Sequence, residues 1–393
     1  MTVQMKPVKT ISQPDWVRHD STQKLLQALD GLGEVPKTLF VGGCVRNLLM
    51  DLAVTDIDLA TQIDPQEVVS RLEKNDIKAI PTGIEHGTVT AIIDDQKYEI
   101  TTLRKDVKTD GRHALVSFSD DWIEDAKRRD FTINTFLMSS EGNVFDLLGN
   151  ALKDLENQRV IFVGNADQRI TEDALRILRF FRFHAFYGEK EPDQAALLAC
   201  KENATLIDTL SRERITSEFL KILSVEDPTL ILKVMFENNV LDALVDKNYQ
   251  PEILSNLCSL QRQYDAFDEM ARLFVINGCT ARFHDEVLRL SHAHKNKLVK
   301  YDMAAHAGFY RDEKALKKAI FHHGNAILVQ GYLLHVSISE IEANEALINV
   351  LKNWQAPECP VNGKMLLDEG YQTGPELGRE LDYRIEEWLD HNL

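Results

Sequence analysis

The spacing of hydrophobic residues changes part-way along the sequence. From about Leu39 to Phe145, short strand-like apolar runs alternate with helical or loop segments: TLFVGG, DIDLAT, GTVTAII, KYEITTLR and NVFDLL. Further along, apolar residues recur at helical spacing, as in DALRILRFFRFHAF, ITSEFLKILSV, PTLILKVMF and ALINVLKNW. The pattern predicts an α+β protein, with a mixed α/β domain over residues 1–150 followed by an elongated all-α part, divided into residues 151–225 and 226–393.

Composition is that of an ordinary globular protein. The chain has 393 residues, 44% hydrophobic and 27% charged, and this length favours two or more domains. No apolar run approaches the ~18 residues of a membrane span, and the N-terminal segment lacks the apolar core of a signal peptide, so we expect a cytoplasmic protein. The five cysteines are far apart, which favours reduced thiols over a disulfide framework or a zinc cluster.

The basic residues are unevenly distributed. The formal charge of −17 argues against a nucleic-acid partner, because Lys and Arg make the contacts to phosphate. This charge is an average over the whole chain, however. Between Lys105 and Arg182 the sequence holds the basic stretches KDVKTDGRH, KRRD and LRILRFFRF, and much of the acid excess follows later. A local basic site is therefore compatible with the composition.

The stretch VGGCVRNLLMDLAVTDIDLAT begins with a glycine turn. TLFV reads as a strand that ends at Gly42-Gly43, and VRNLLM reads as the first turns of a helix. Free N–H groups at the start of this helix, with the Arg46 guanidinium directed the same way, would suit a phosphate group. The alternative is a plain strand-turn-helix connection. It is not a P-loop, because no GK[ST] follows.

The same stretch ends with two aspartates one residue apart. On a strand, Asp56 and Asp58 share one face while Ile57 and Leu59 point into the core. Adjacent carboxylates repel each other unless a cation lies between them, and Mg²⁺ is held by one or two carboxylates together with substrate phosphates. A solvated edge strand is the alternative, but the nearby glycine turn favours the metal site. Glu99 would be a third carboxylate there, or a partner in a salt bridge.

Several motifs in order resemble those of a known family. GGCVRNLLMDLAVTDIDLAT resembles the first motif of the class II tRNA nucleotidyltransferases, the CCA-adding enzymes and bacterial poly(A) polymerases of the polymerase-β-like superfamily. KRRDFTINTF, DLLGNALKDLENQRVIFVG and EDALRILRFFRFHA are similar to the second, third and fourth motifs, and VNGKMLLDEGYQTGPELGREL is similar to the bacterial tail. The resemblance implies a nucleotidyltransferase head, a helical neck, and a helical body and tail that bind tRNA.

The resemblance also implies roles for individual residues. Asp56 and Asp58 would be the catalytic carboxylates that bind Mg²⁺, and Gly43 and Arg46 would hold the triphosphate. The further nucleotide contacts implied are Arg129, Asp173, Arg176, Arg179 and Arg182. The family usually has Asp at the position of Asn47, so no role is assigned to that residue.

The fourth motif offers a physical basis for base recognition. On a helix, Asp173, Arg176, Arg179 and Arg182 recur at i, i+3, i+6 and i+9 and would share one side, with apolar residues on the other. A solvated basic face is the alternative. The resemblance implies that Asp173 and Arg176 meet the base edge. Arg supplies a rigid donor fork and Asp an acceptor, which matches the polar edge of cytosine or of adenine.

The implied reaction is template-independent addition of C, C and A from CTP and ATP to the tRNA 3′ end, with release of pyrophosphate. Within the same class, a poly(A) polymerase or an enzyme that adds only CC or only A is the alternative. Outside it, the alternative is a catalytically silent RNA-binding protein. DGRHALVSF, residues 110–118, resembles the flexible loop of full CCA enzymes and A-adders, which disfavours CC-only addition. The sequence does not indicate the oligomeric state.

Overall fold

The chain forms two compact units. The computed structural model describes residues 5–108, 115–189, 191–241, 244–245, 249–281 and 287–393. Residues 1–211 and 235–240 belong to the first unit, and residues 212–234 and 241–393 belong to the second. All described strands lie in the first unit, whereas the described part of the second is helical, so the predicted α+β class is confirmed. The predicted domain boundaries at 150 and 225 stay predictions.

The described residues form ten strands and nineteen α-helices. The strands are Lys9–Thr10 (β1), Thr38–Val41 (β2), Ile57–Thr61 (β3), Lys78–Gly83 (β4), Thr88–Ile93 (β5), Gln96–Thr102 (β6), Arg104–Lys108 (β7), Leu115–Phe118 (β8), Leu137–Met138 (β9) and Asn143–Phe145 (β10). The helices are Asp15–Arg18 (α1), Asp20–Ala28 (α2), Gly43–Leu49 (α3), Pro65–Lys74 (α4), Trp122–Lys127 (α5), Ala151–Glu156 (α6), Ala166–Glu172 (α7), Leu175–Tyr187 (α8), Gln194–Glu202 (α9), Arg212–Leu223 (α10), Thr229–Glu237 (α11), Pro251–Gln263 (α12), Glu269–Ile276 (α13), His292–His306 (α14), Glu313–His323 (α15), Asn325–Ser339 (α16), Glu345–Asn353 (α17), Gly363–Asp368 (α18) and Pro375–Asn392 (α19).

Eight strands form one mixed sheet in the order β1-β10-β9-β2-β3-β6-β5-β4, and β7 pairs with β8 separately. Within the mixed sheet, β3 and β6 are parallel and the other neighbours are antiparallel. One face of the sheet is closed by a buried cluster from β2, β3, β9 and β10 together with Leu103. Strand β2 ends at the glycine turn and is antiparallel to β3. Since β3 and β6 are parallel, both therefore begin near that turn and run away from it.

Most strands follow the predicted alternation, since TLFV, DIDLAT, GTVTAII, KYEITT and NVF became β2, β3, β5, β6 and β10. FTINTF, the segment that follows KRRD, does not form a strand, because Thr132–Asn134 is a 3₁₀ turn. Side chains explain the turn: the Asp130 carboxylate accepts from the Phe131 N–H and the Asn134 amide, and the Thr132 hydroxyl donates to Asp154. Such local polar bonds compete with a strand ladder.

The second unit is built of packed helices, and the runs predicted as helical there became α10, α11 and α17. Helices α14 and α16 approach closely at Gly331, where an added Cβ would lie 2.2 Å from the Ala304 Cβ. Only glycine therefore fits at this crossing. In the part of the chain that the structure describes, no helix combines the length and apolar character needed to span a membrane. The five cysteines are free thiols.

A buried cation secures the end of α10 in the second unit. Arg272 of α13 is only 2% exposed. Its guanidinium donates to the carbonyls of Leu223 at 2.7 Å, Val225, and Glu226 at 3.0 Å, and to the Gln261 Oε1 at 2.8 Å. Carbonyl groups at a helix C-terminus lack helical partners and carry partial negative charge. Arg272 provides hydrogen-bond donors to these carbonyls. None of the acceptors named here is a carboxylate.

We predict that Arg272→Met lowers the free energy of unfolding by roughly 3 kcal/mol or more, because three carbonyls and one amide lose their donor inside the protein. Calorimetric unfolding of the full chain measures the change. Arg262→Met is the matched control, since Arg262 is 54% exposed and pairs with Glu226 and Asp227 at the surface. Arg262→Met should lower the free energy of unfolding by less than about 1 kcal/mol. Equal losses in the two variants would contradict the role of Arg272.

Candidate functional site

The glycine turn lies at the mouth of a cavity of about 400 Å³ in the first unit. Strand β2 ends at Val41, Gly42 has φ 71° and ψ −121°, and α3 begins at Gly43. The positive φ of Gly42 favours glycine, and a Cβ there would lie 3.4 Å from the Arg129 Nη1. The predicted strand-turn-helix connection is thus present, and it faces a cavity.

The two aspartates lie at the start of β3, and Asp58 lines the cavity together with Glu99 of β6. Ile57 and Leu59 are 6% and 0% exposed, as the strand alternation predicted. Asp58 is partly buried and is paired in register with Glu99 on the neighbouring parallel strand. Asp56 is exposed and lies one residue before the strand, where its carboxylate accepts from the Thr55 hydroxyl at 3.1 Å.

The charge of Asp58 is poorly compensated by the protein. Burial, Glu99 and Asp56 together raise the pKa of Asp58 to about 6, although Arg129 and Arg46 oppose the shift. A divalent cation beside these oxygen ligands would favour the ionised carboxylate. Among the described residues, no group of three or more His, Cys, Asp or Glu side chains is placed to hold a metal. The carboxylate oxygens of Asp56 and Asp58 are the kind of ligand that Mg²⁺ takes together with substrate phosphates, so the donor set fits such an ion.

Arg46 is held in place by several contacts at once. It is 5% exposed. Its Nη1 donates to the Asn134 Oδ1, its Nη2 donates to the Asn47 Oδ1 at 2.8 Å and the Tyr187 hydroxyl at 2.7 Å, and its Nε reaches Asn47 at 3.2 Å. The guanidinium also lies 4.1 Å from the centre of the Tyr187 ring and 5.1 Å from that of Phe183. Both rings belong to α8, which therefore packs directly on the glycine turn.

The KRRD segment places two more arginines beside the cavity. Asp125 of α5 is 3% exposed and pairs with both: Arg128 Nη2 at 2.6 Å and Arg129 Nη2 at 2.9 Å. Burial alone would raise the pKa of Asp125, but the guanidiniums of Arg129 and Arg128 outweigh it and hold that pKa below its usual range. One buried carboxylate thus orients two cations.

The third residue of this segment that lines the cavity, Asp130, contacts α8. Its Oδ2 accepts from the Arg179 Nε at 2.8 Å and from the Arg179 Nη2, while its Oδ1 accepts from the Phe131 N–H and the Asn134 amide. Burial would raise the pKa of Asp130, yet Arg179 and Asn134 hold it below the usual range. Arg179 is therefore anchored at the cavity rather than on a solvated helix face.

The predicted placement of Asp173 on one helix face with the arginines is wrong. Helix α8 begins at Leu175, and Asp173 has extended backbone between α7 and α8, where its carboxylate accepts from the Leu175 N–H at 3.2 Å. Asp173 caps the helix because the chain turns sharply there. Arg176 is also held, donating to Glu172 Oε2 and to the Arg169 carbonyl, both at 2.9 Å, and to the Arg128 carbonyl at 3.2 Å.

The cavity brings together five of the nine predicted site residues: Gly43, Arg46, Asp58, Arg129 and Arg179. The other four are not part of its lining: Asp56, Asp173, Arg176 and Arg182. The sequence analysis missed Arg104, Arg128 and Asn134, which also line it. The i, i+3 spacing of Asp125 and Arg128 could have indicated an ion pair on a helix. No local sequence pattern pointed to Asn134. The Nε of Arg104 is buried without a hydrogen-bond partner in the described structure, so it has a donor to offer a ligand.

We predict that Asp125→Asn lowers the free energy of unfolding by about 2–3 kcal/mol at pH 7, because two buried guanidiniums lose their counter-charge. The folded pKa of Asp125 lies below its unfolded value of about 3.9. Its contribution is therefore complete above that pH and is lost as the pH falls through the folded pKa. Denaturant unfolding between pH 7 and pH 3 should show the difference between variant and wild type shrinking below about pH 4.

The matched control is Glu124→Gln. Glu124 is the preceding residue of α5, is 43% exposed, and pairs with Lys127 at the surface. This substitution should change the free energy of unfolding by less than about 1 kcal/mol. A loss in Asp125→Asn that does not depend on pH would contradict the electrostatic explanation.

Two family models match the sequence. The model of the poly A polymerase head domain matches residues 38–161, and the one described as probable RNA and SrmB-binding site of polymerase A matches residues 191–255. The first match contains the glycine turn, both aspartates and the KRRD segment. The cavity described above thus lies mainly within a recognised head domain.

Named relatives match over most of the chain. CCA tRNA nucleotidyltransferase 1, mitochondrial, of Homo sapiens is 32% identical over 88% of this chain and 81% of its own length. The CCA-adding enzyme of Streptococcus pneumoniae is 32% identical over 92% of both chains. The structure of the Bacillus stearothermophilus CCA-adding enzyme in complex with CTP has the same fold, with a TM-score of 0.74 and 24% identity over 95% of this chain and 94% of that one. With this identity and coverage, the chain belongs to the family of CCA-adding tRNA nucleotidyltransferases.

Proposed function

We propose that the protein adds C, C and A to the 3′ end of tRNA from CTP and ATP, without a nucleic-acid template. The observation that carries the proposal is the cavity, whose lining combines Asp58 with five arginines. Family membership supports the same activity. In the reaction, the tRNA 3′-hydroxyl attacks the α-phosphate, the bond to the bridging oxygen breaks, and pyrophosphate leaves. Positioning and charge neutralisation would supply most of the rate enhancement.

The charge of the cavity supports binding of a nucleoside triphosphate. Its lining holds five arginines against three carboxylates, an excess of two positive charges: Arg46, Arg104, Arg128, Arg129 and Arg179 against Asp58, Glu99 and Asp130. The protein as a whole carries −17, so this local excess is unusual for the chain. A volume of about 400 Å³ lies within the range of small-ligand sites. We assign Gly43, Arg46 and Arg129 to the triphosphate.

We propose Asp56 and Asp58 as the Mg²⁺ ligands. Both supply carboxylate oxygens, and the repulsion from Glu99 and Asp56 that helps raise the pKa of Asp58 is one that a bound cation would relieve. When bound, Mg²⁺ supplies charge neutralisation for the attacking hydroxyl and the departing pyrophosphate. Asp56 is exposed and Asp58 is partly buried, so both carboxylates would be accessible to an ion that arrives with the substrate. The role of Glu99 beside them stays open.

Base recognition is assigned to Asp173 and Arg176, with Arg179 and Arg182 assisting. Arg176 is held by Glu172 and by the Arg128 carbonyl, so its fork has a fixed direction before a nucleotide arrives. Arg128 lines the cavity, and Arg176 donates to its carbonyl, so Arg176 contacts a residue of the cavity wall. A fixed fork beside an Asp acceptor can read a base edge, whereas a mobile Lys would lose that geometry.

Binding of tRNA is assigned to the helical part of the chain, which includes the matched RNA-binding region at 191–255. A cytoplasmic location is proposed with that substrate. Addition of A alone, or poly(A) synthesis, is the alternative within the family. Incorporation of labelled CTP and ATP on tRNAs that end before the CCA, after the first C and after the second C distinguishes these activities.

We predict that Asp58→Asn and Asp56→Asn each lower nucleotide incorporation by roughly a thousandfold or more, because each removes charge at the site where the transition state needs it. The thermal midpoint should change little, since neither side chain fills core volume. Incorporation is measured with tRNA lacking CCA and saturating CTP. The matched control is Asp95→Asn in the β5–β6 turn, at φ 63°, a conformation that Asn also tolerates. Near-normal incorporation in Asp58→Asn would refute the metal assignment.

We also predict that deletion of residues 110–117 spares addition of both cytidines and impairs addition of the terminal adenosine. Residues 109–114 lie outside the described structure, but the flanking strands β7 and β8 pair with each other and β7 begins at Arg104 of the cavity. We propose that the segment between these strands changes the nucleotide site between C and A addition.

The deletion is compared with wild type on tRNA that lacks CCA and on tRNA that ends in CC, each with CTP and ATP. Equal slowing of C and A addition would mean that the segment serves general substrate binding. No change in either would mean that the switch lies elsewhere. Both results would contradict the prediction while leaving the nucleotidyltransferase activity itself established.

A further inference from the structure

We propose that Tyr187 is a positioning residue for the nucleotide site, and that it acts through Arg46. The inference rests on the proposed function, because it assigns Arg46 to the triphosphate side of the cavity. Tyr187 itself is not part of the cavity lining, whereas Arg46 is. Tyr187 reaches the lining through Arg46 and through its ring contact with Phe183. Phe at position 187 would keep the ring contact, so loss of the hydroxyl acts through the guanidinium.

The contact between the two residues has both a polar and an aromatic part. The Arg46 Nη2 donates to the Tyr187 hydroxyl at 2.7 Å, and the guanidinium carbon lies 4.1 Å from the centre of the Tyr187 ring. The Tyr187 hydroxyl in turn lies 3.4 Å from the Asn47 Oδ1, which also accepts from Arg46. Tyrosine is thus well suited here, since Phe would keep the ring and lose the acceptor.

Arg46 depends on this contact because its hydrogen-bond partners are neutral, although the Asp130 carboxylate acts on it from a distance. Among the described residues, its hydrogen-bond partners are Asn47, Asn134 and Tyr187, and none is a carboxylate. Burial lowers the pKa of Arg46, and Tyr187 is the first group that counteracts the shift. A buried cation held by neutral partners keeps its charge for a ligand, but it has no ion pair to fix its direction. Tyr187 supplies that direction from α8.

The contact also joins two parts of the proposed nucleotide site. Arg46 lies in the first turn of α3, directly after the glycine turn, and Tyr187 is the last residue of α8. Helix α8 carries Arg176, Arg179 and Arg182, which are assigned to the base. Loss of the contact should therefore let the triphosphate side and the base side move apart, which weakens CTP and ATP alike.

The test is Tyr187→Phe in the full-length protein. We expect the KM for CTP and for ATP to rise about tenfold or more, as loss of one hydrogen bond to a charged group implies. The KM for tRNA and the thermal midpoint should stay close to wild type. A merely structural role would instead lower the thermal midpoint and reduce all kinetic parameters together. Calorimetric titration of the protein with CTP in the presence of Ca²⁺ measures binding without turnover. It should show the same weakening of CTP binding.

Two controls make the test specific. Phe186→Leu changes the neighbouring residue of α8, which is 46% exposed, and should leave every parameter unchanged. In an Arg46→Lys background, Tyr187→Phe should have no further effect on CTP binding, because the side chain through which it acts has lost its fork. Additive effects of the two substitutions would overturn the proposal.

The outcomes also separate this proposal from the proposed function. Wild-type protein that neither binds CTP nor incorporates it overturns both. Wild-type protein that incorporates CTP and ATP, with Tyr187→Phe indistinguishable from it in nucleotide KM and CTP titration, overturns only the positioning role.

Discussion

The arrangement of the first unit depends on the hydrogen bonds that the buried Asp130 carboxylate accepts. This carboxylate accepts hydrogen bonds from the Phe131 N–H, from the Asn134 amide and from two nitrogens of Arg179. The first two bonds turn the chain after KRRD, and the third attaches α8. Because removal of one partner from a buried ion pair costs about 3–5 kcal/mol, the turn and the helix are fixed together. Four ring contacts among Phe131, Phe162, Phe180 and Phe183 lie around the same junction.

From Asp130 the hydrogen bonds continue to the glycine turn and return to α8. Asn134 donates to Asp130 and accepts from Arg46, and Arg46 donates to Tyr187. Since Arg179 and Tyr187 both belong to α8, the circuit is closed at two points of one helix. A closed circuit cannot lose one member without releasing its neighbours, so the position of the cavity wall is set by several bonds at once.

This circuit also explains how far the sequence could predict the site. Strand alternation correctly put Ile57 and Leu59 in the core because that period is local, and the glycine turn was recognised because it depends on adjacent residues. Two partners of Arg46, Asn134 and Tyr187, lie 88 and 141 residues away, so no local pattern could reveal them. Asp173 was misplaced for a related reason: a smooth helical period continues through its position, but its carboxylate caps a new helix instead.

The hydrogen bonds that fix Arg46 determine how it can neutralise the charge of a ligand in the cavity. A guanidinium whose Nε, Nη1 and Nη2 all donate to protein acceptors gains little by swinging toward a phosphate, since each new bond would replace an existing one. It acts on a ligand mainly as a fixed positive charge in a poorly solvated wall. Among the cavity arginines, Arg104 differs in that its buried Nε has no hydrogen-bond partner in the described structure. Charges fixed before the ligand arrives need no reorganisation during the reaction, and this is where electrostatic stabilisation is strongest.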